Sequence, residues 1–315
     1  MRDVVLLIVG LVVLTFAADR FVLGAARLSA ALRVSPVVVG ALVIGFGTSA
    51  PELLVTVLAA AQDAADLGYG NLVGSNTANI LLVLGSAALL SPITVRTATL
   101  KREVPLMLAA VGAFALATLN GQVGLVEGLV LLTLTVAVIA LVLRVARRDQ
   151  QAAAQLAADV EGGEAATGGP LWRHVGLALG GLVGTIAGAQ ALVVGATGVA
   201  RMVGISDAVI GLTVVAIGTS LPELVTAVAA ARRGEPELVL GNVRGSNIFN
   251  ALPVAGIAAM LTSTELDPAF GLGVAAMVGS CLLASVFLLT GRRLGRREGA
   301  TLLALFVAIT AATVV

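Results

Sequence analysis

Residues 47–61 read GTSAPELLVTVLAAA, and residues 218–232 read GTSLPELVTAVAAAR. With the same offset of 171 residues, GNLVGSNTAN beginning at Gly70 meets GNVRGSNIFN beginning at Gly241. Two motifs and the spacing between them recur together, which marks an internal duplication. The sequence around them is apolar: 58% of the 315 residues are hydrophobic, 12% are charged, and the mean hydropathy is +1.06. Ordinary soluble domains carry roughly 25% charged residues. A surface this apolar cannot stay in water, so the solvent for most of this chain is lipid, and a soluble globule is excluded.

A helix needs about 20 apolar residues to cross the bilayer core. Apolar runs between charge and turn clusters predict ten such helices, near residues 4–30, 36–61, 68–90, 103–118, 124–143, 174–200, 207–231, 238–261, 268–290 and 299–315. Aromatic residues make up only 3% of the chain and the short alternating segments of a membrane β-barrel are missing, so the expected fold is an all-α integral membrane protein. It divides into a first five-helix repeat over residues 1–145, a cytoplasmic linker over 146–172 and a second five-helix repeat over 173–315. The linker is rich in Ala, Gln, Glu and Gly and has no apolar face to bury. An odd number of spans reverses direction, so the two halves are expected to lie antiparallel, an arrangement that marks secondary transporters. The first helix is long, carries Asp19 and Arg20 and has a counterpart in the second half, so it reads as a retained span, not a cleaved leader. Basic residues such as Arg27, Arg33, Lys101, Arg102, Arg144 and Arg147 fall on one set of loops, while the other keeps little more than Arg2 and Arg201. That bias places both termini outside and the linker in the cytoplasm.

Several function classes drop out early. Nineteen basic residues against 18 acidic ones leave a net charge of +1, which gives no electrostatic attraction to nucleic acid. The single cysteine, Cys281, permits no internal disulfide and reads as a small buried hydrophobe. His174, beside Trp172 and Arg173 at the start of an apolar segment, reads as an interfacial anchor.

The chemistry concentrates in the duplicated motifs. Glu52 and Glu223 stand deep inside apolar spans and are equivalent under the repeat. A charge at the bilayer centre costs roughly 2.5 to 3.5 kcal/mol on insertion scales, so a pair of them calls for a compensating cation or proton. Each follows a proline, Pro51 or Pro222, which cannot donate to the helix and breaks or kinks it. The break frees carbonyls, and broken backbone at membrane depth is tolerated where it lines a cavity. Thr48, Ser49, Thr219 and Ser220 add hydroxyls at the same place. In the second motif, Ser75 with Asn79 and Ser246 with Asn250 are four residues apart and share a helix face, while Gly70 with Gly74 and Gly241 with Gly245 form the small surface that lets a helix approach closely. This inventory is all oxygen, without thiolate or imidazole, and suits hard cations such as Ca²⁺ or Na⁺.

The doubled G-T-S-x-P-E and G-N-x-x-G-S-N-x-x-N motifs resemble the α-repeats of the cation/calcium exchanger superfamily, in its prokaryotic sodium/calcium exchanger branch. The resemblance covers the whole chain. It implies that Glu52 and Glu223 are shared carboxylate ligands, that Thr48, Ser49, Thr219, Ser220, Ser75 and Ser246 supply hydroxyl or carbonyl oxygens, that Gly45 and Ala216 supply backbone carbonyls, and that Asn79 and Asn250 stand beside the central site. It further implies a plasma-membrane antiporter that exchanges Ca²⁺ for Na⁺ by alternating access, with three Na⁺ per Ca²⁺. The implied protein is no enzyme and uses no cofactor, and it has no protein partner beyond the lipid bilayer. Some prokaryotic relatives carry an aspartate where this chain has Asn250, which removes one titratable group. The proton/calcium branch places a glutamate shortly after its G-N pair; none follows here, which favours sodium coupling over the alternatives, a Ca²⁺/H⁺ or a K⁺-dependent cation exchanger. The near-identical half-sites speak against an intramembrane metal hydrolase, because hydrolysis does not explain a duplicated site.

Overall fold

The computed structural model describes residues 2–62, 65–94, 97–159, 170–202, 216–267, 270–291 and 293–314. It is almost wholly helical. The helices are α1 (Arg2–Leu32), α2 (Pro36–Thr48), α3 (Ala50–Ala61), α4 (Ala65–Leu90), α5 (Thr97–Ala117), α6 (Leu125–Asp159), α7 (Leu171–Met202), α8 (Ala216–Thr219), α9 (Leu221–Arg232), α10 (residues 236–261), α11 (Phe270–Gly291) and α12 (Arg296–Val314). Among the described residues, five helices are long and apolar enough to cross a membrane: α1, α4, α6, α7 and α11. The pair α2 and α3, bent by 45° at its break, makes a sixth candidate. Residues 207–215 of the seventh expected span lie outside the described residues, as do 268, 269 and 315 at the edges of the last two.

Local sequence explains the helix ends. Pro36 and Pro236 occupy first helical positions, where the missing amide hydrogen costs nothing. Gly234, at φ 71°, takes the left-handed conformation that ends α9 just before Pro236. The starts of α6 and α12 are capped alike: the Gly124 amide donates to Glu127 at 3.0 Å and the Gly295 amide donates to Glu298 at 3.0 Å. These two caps are 171 residues apart.

The same equivalence runs through the packing. Strand β1 (Ile93–Thr94) pairs antiparallel with β4 (Arg293–Leu294), and β2 (Gln122–Val123) pairs with β3 (Thr264–Glu265). The registers are Ile93 with Leu294 and Thr94 with Arg293 in one, Val123 with Thr264 and Gln122 with Glu265 in the other. Shifting every residue by 171 turns one pair into the other. Helices α1 and α7, also equivalent, lie against each other along their length. Leu14 faces Gly188, Phe21 faces Gly181 and Ala178 faces Gly24, so the two helices run antiparallel. A Cβ at Gly188 would come within 2.5 Å of the Leu14 backbone nitrogen, so only glycine permits this approach.

The expected linker is helical as far as Asp159, because α6 continues through residues 146–159. Its Arg, Gln and Ala residues are strong helix formers, and no glycine interrupts them before Gly162. Cys281 is buried as expected. His174 departs from the anchor reading: it is buried, and the exposed Trp172 carries the Arg173 guanidinium 5.3 Å from its ring centre.

A buried ion pair departs from the repeat. Glu103 of α5 accepts from Arg102 at 2.9 Å and pairs with Arg244 of α10, deep in the bundle. The residues equivalent to Glu103 and Arg244 are Val274 and Val73, both buried and apolar. Removing one partner of a buried pair strands the other charge and costs about 3–5 kcal/mol. Glu103→Val or Arg244→Val alone should therefore lower unfolding stability in detergent by about that amount. The double variant, which copies the valine pair, should recover most of it; a double variant as unstable as either single one would contradict this account.

Candidate functional site

The two glutamates sit at helix breaks that the prolines create. Ser49, at φ −83° and ψ 11°, separates α2 from α3, and Ser220, at φ −89° and ψ 5°, separates α8 from α9. Pro51 and Pro222 occupy the first turn of the helix that follows, where their missing amide hydrogens are tolerated. Both carboxylates are fully buried.

Among the described residues, three wide helical turns that the sequence did not announce lie near these breaks. Residues Gly40–Gly45, Asn79–Leu84 and Asn250–Val254 are π-helical. Such turns carry one extra residue and re-aim side chains and carbonyls, and they occur often at functional sites. Gly45 closes the first, while Asn79 and Asn250 open the other two, so three expected site residues lie on irregular backbone.

The two halves meet at the carboxylates. Ser49 donates to Glu223 Oε1 at 2.8 Å, and the Ser246 hydroxyl lies 3.0 Å from the Gly45 carbonyl and 3.4 Å from Glu223 Oε1. Glu52 lies within electrostatic reach of Glu223, with Ser75 and Ser220 standing beside it without closing a hydrogen bond. Thus each carboxylate is flanked by a serine from the opposite break and one from its own second motif. The Thr48 hydroxyl donates back to the Ile44 carbonyl at 2.9 Å. Thr219 is half-buried in α8. Ala216 opens that helix.

Burial without partners is the salient property of this region. Both oxygens of Glu52, Oε2 of Glu223, the hydroxyls of Ser75 and Ser220, and both amide atoms of Asn79 and of Asn250 are buried with no hydrogen-bond partner among the described residues. Unpaired buried polar atoms each cost about 1–3 kcal/mol, more when charged. No group of three or more His, Cys, Asp and Glu side chains converges among the described residues. A cation held here would therefore be met by two carboxylates plus neutral oxygens, a donor set suited to Ca²⁺ or Na⁺.

Sequence reasoning passed over two residues. Asn242, inside the second motif, binds the Glu223 carbonyl at 3.0 Å and is fully enclosed; three asparagines in one motif gave no sign of which one would hold the turn that carries Glu223. Arg244 lies in the same motif but faces Glu103, a partner 141 residues away in sequence. The small surface behaves as expected in the second half, where Gly241 and Gly245 press on the backbone of Val37, Gly40 and Ala41. The segment equivalent for Gly70 and Gly74, residues 208–212, lies outside the described residues.

Comparison with known proteins now bears on this geometry. The model of the sodium/calcium exchanger protein family matches residues 3–144 and 173–315. The chain belongs to the sodium/calcium exchanger family. The chain is 37% identical over 310 residues to the putative antiporter CaxA of Alkalimonas amylolytica, covering 96% of each chain. It is 31% identical to the sodium/calcium exchanger MaX1 of Methanosarcina acetivorans, again covering 96% of each. Its fold matches a solved structure of the sodium-calcium exchanger NCX_Mj soaked with Na⁺ and Sr²⁺, with a TM-score of 0.85 at 32% identity and 98% of both chains covered. The chain is thus a helical membrane protein of an antiporter family, and relatives such as MaX1 are named as exchangers.

Proposed function

We propose that this chain is a secondary antiporter that moves Ca²⁺ and Na⁺ in opposite directions through one site, open alternately to either side of the membrane. The observation that carries the reading is the set of buried, unpaired oxygens drawn from both copies of both motifs. A folded protein tolerates such a set where a ligand completes it. Glu52 and Glu223 supply the charge. Thr48, Ser49, Thr219, Ser220, Ser75 and Ser246 supply hydroxyl or carbonyl oxygens, Gly45 and Ala216 backbone carbonyls, and Asn79 and Asn250 amide oxygens. Ca²⁺ and Na⁺ are substrates here, and no resident cofactor is needed.

In this reading the ten helical stretches form ten spans in two inverted repeats, with both termini outside and residues 146–172 in the cytoplasm. The antiparallel contact of α1 with α7 and the exchange of the two short strand pairs under the 171-residue shift support it. Inverted halves give two nearly equivalent conformations, one open to each side, and that is what alternating access requires.

The test is Ca²⁺ uptake into proteoliposomes loaded with Na⁺, with K⁺, or holding only a pH gradient. Na⁺-loaded vesicles should accumulate Ca²⁺ and the other two should not. Uptake driven by K⁺ or by the pH gradient alone would replace the sodium reading with a K⁺- or H⁺-coupled one.

A further inference from the structure

The two half-sites carry the same motif residues but are not held alike. In the second half the Asn242 amide nitrogen donates to the Glu223 backbone carbonyl at 3.0 Å and to the Thr226 hydroxyl at 3.2 Å. Thr226 in turn donates to the Pro222 carbonyl at 2.7 Å. Asn242 Oδ1 faces the Thr48 hydroxyl of the opposite break at 3.4 Å. All of these groups are buried. The ring therefore ties the first turn after the break to α10, one helix away.

The first half lacks it. The residue equivalent to Thr226 is Val55, which has no hydroxyl. The counterpart of Asn242 is Asn71, whose amide nitrogen is buried without a partner among the described residues. The carboxylates differ in the same sense: Glu223 Oε1 receives Ser49, whereas neither oxygen of Glu52 has a hydrogen-bond partner among the described residues.

We infer that Thr226 and Asn242 are positioning residues that clamp the Glu223 half-site in its cation-binding geometry, leaving Glu52 as the half that adjusts when an ion arrives. Neither touches the ion. They act by fixing the turn that presents Glu223, so the ordering of that turn is complete before binding and is not charged against affinity. The inference rests on the exchanger reading above.

The experiment is the Ca²⁺ concentration dependence of Na⁺-driven uptake for Thr226→Val, Asn242→Ala and the double variant, with thermal unfolding in detergent measured alongside. Thr226→Val is the principal variant, because valine already occupies the equivalent place in the first half. Loss of a buried hydrogen bond of ordinary strength should raise half-saturating Ca²⁺ about three- to tenfold in each single variant, with the maximal rate within about twofold of wild type. The double variant should be little worse than the more affected single one, since both changes open one network. A lowered maximal rate or melting temperature with unmoved half-saturation would show a merely structural role and overturn the inference, and unmoved behaviour throughout would do the same. If Asn242→Ala does not fold, Thr226→Val decides alone. Wild-type protein without Na⁺-driven uptake would instead overturn the exchanger reading itself, so the two failures are distinguishable.

Discussion

Glu52→Gln and Glu223→Gln should each abolish Ca²⁺ transport while leaving a folded, membrane-inserted protein. The amide keeps the shape of the side chain but removes one of the two charges that offset a dication. Both carboxylates are fully enclosed, so solvent cannot make up the loss. Truncating one partner of a buried charge pair costs about 2–5 kcal/mol, which corresponds to a loss of ion affinity on the order of 30-fold to several thousand-fold. Thermal unfolding of the ion-free variants should match or exceed wild type, because two neighbouring buried carboxylates with unpaired oxygens are themselves unfavourable. Radiolabelled Ca²⁺ flux in proteoliposomes checks this; near-normal flux through either variant would remove that residue from the site.

Much of this site is legible because proline and buried charge are strong signals. A glutamate after a proline in an apolar run announces both a helix break and an uncompensated carboxylate, and the structure has breaks at Ser49 and Ser220, just before Pro51 and Pro222. The duplication made the reading firmer still, since every feature at 47–61 could be checked at 218–232. The π-helical turns were not legible. A π turn differs from an α turn by one inserted residue, and no residue type sets Gly40–Gly45 or Asn79–Leu84 apart from the helix around it, while Pro253 inside Asn250–Val254 marks a distortion without saying of which kind.

Partners distant in sequence were also out of reach. Arg244 reads as an intruder in a small-residue motif until Glu103 is seen against it, and Asn242 looks equivalent to Asn71 until Thr226 and Val55 are compared. The helical run to Asp159 shows the opposite weakness, where lack of an apolar face was read as lack of structure. An Ala- and Gln-rich segment attached to a long helix extends it on propensity alone.

The charge carried per cycle tests the central proposal most directly. With Glu52 and Glu223 ionised and asparagines at 79 and 250, the empty site carries two negative charges. One Ca²⁺ brings it to zero; we propose that three Na⁺ replace each Ca²⁺, in which case the loaded site becomes +1 and each cycle moves one net positive charge in the direction of Na⁺. A potential of about 100 mV then contributes about 2.3 kcal/mol per cycle. Asn250, an amide, cannot alter this balance by taking up a proton. The measurement is Ca²⁺ uptake into Na⁺-loaded proteoliposomes with valinomycin and an inward K⁺ gradient, which sets the interior positive. Outward movement of positive charge is assisted by that potential, so uptake should accelerate, slow when the interior is made negative, and vanish when internal Na⁺ is omitted. Uptake that persists without Na⁺ would contradict Na⁺/Ca²⁺ exchange, and Na⁺-dependent uptake indifferent to the potential would show that two Na⁺, not three, replace each Ca²⁺.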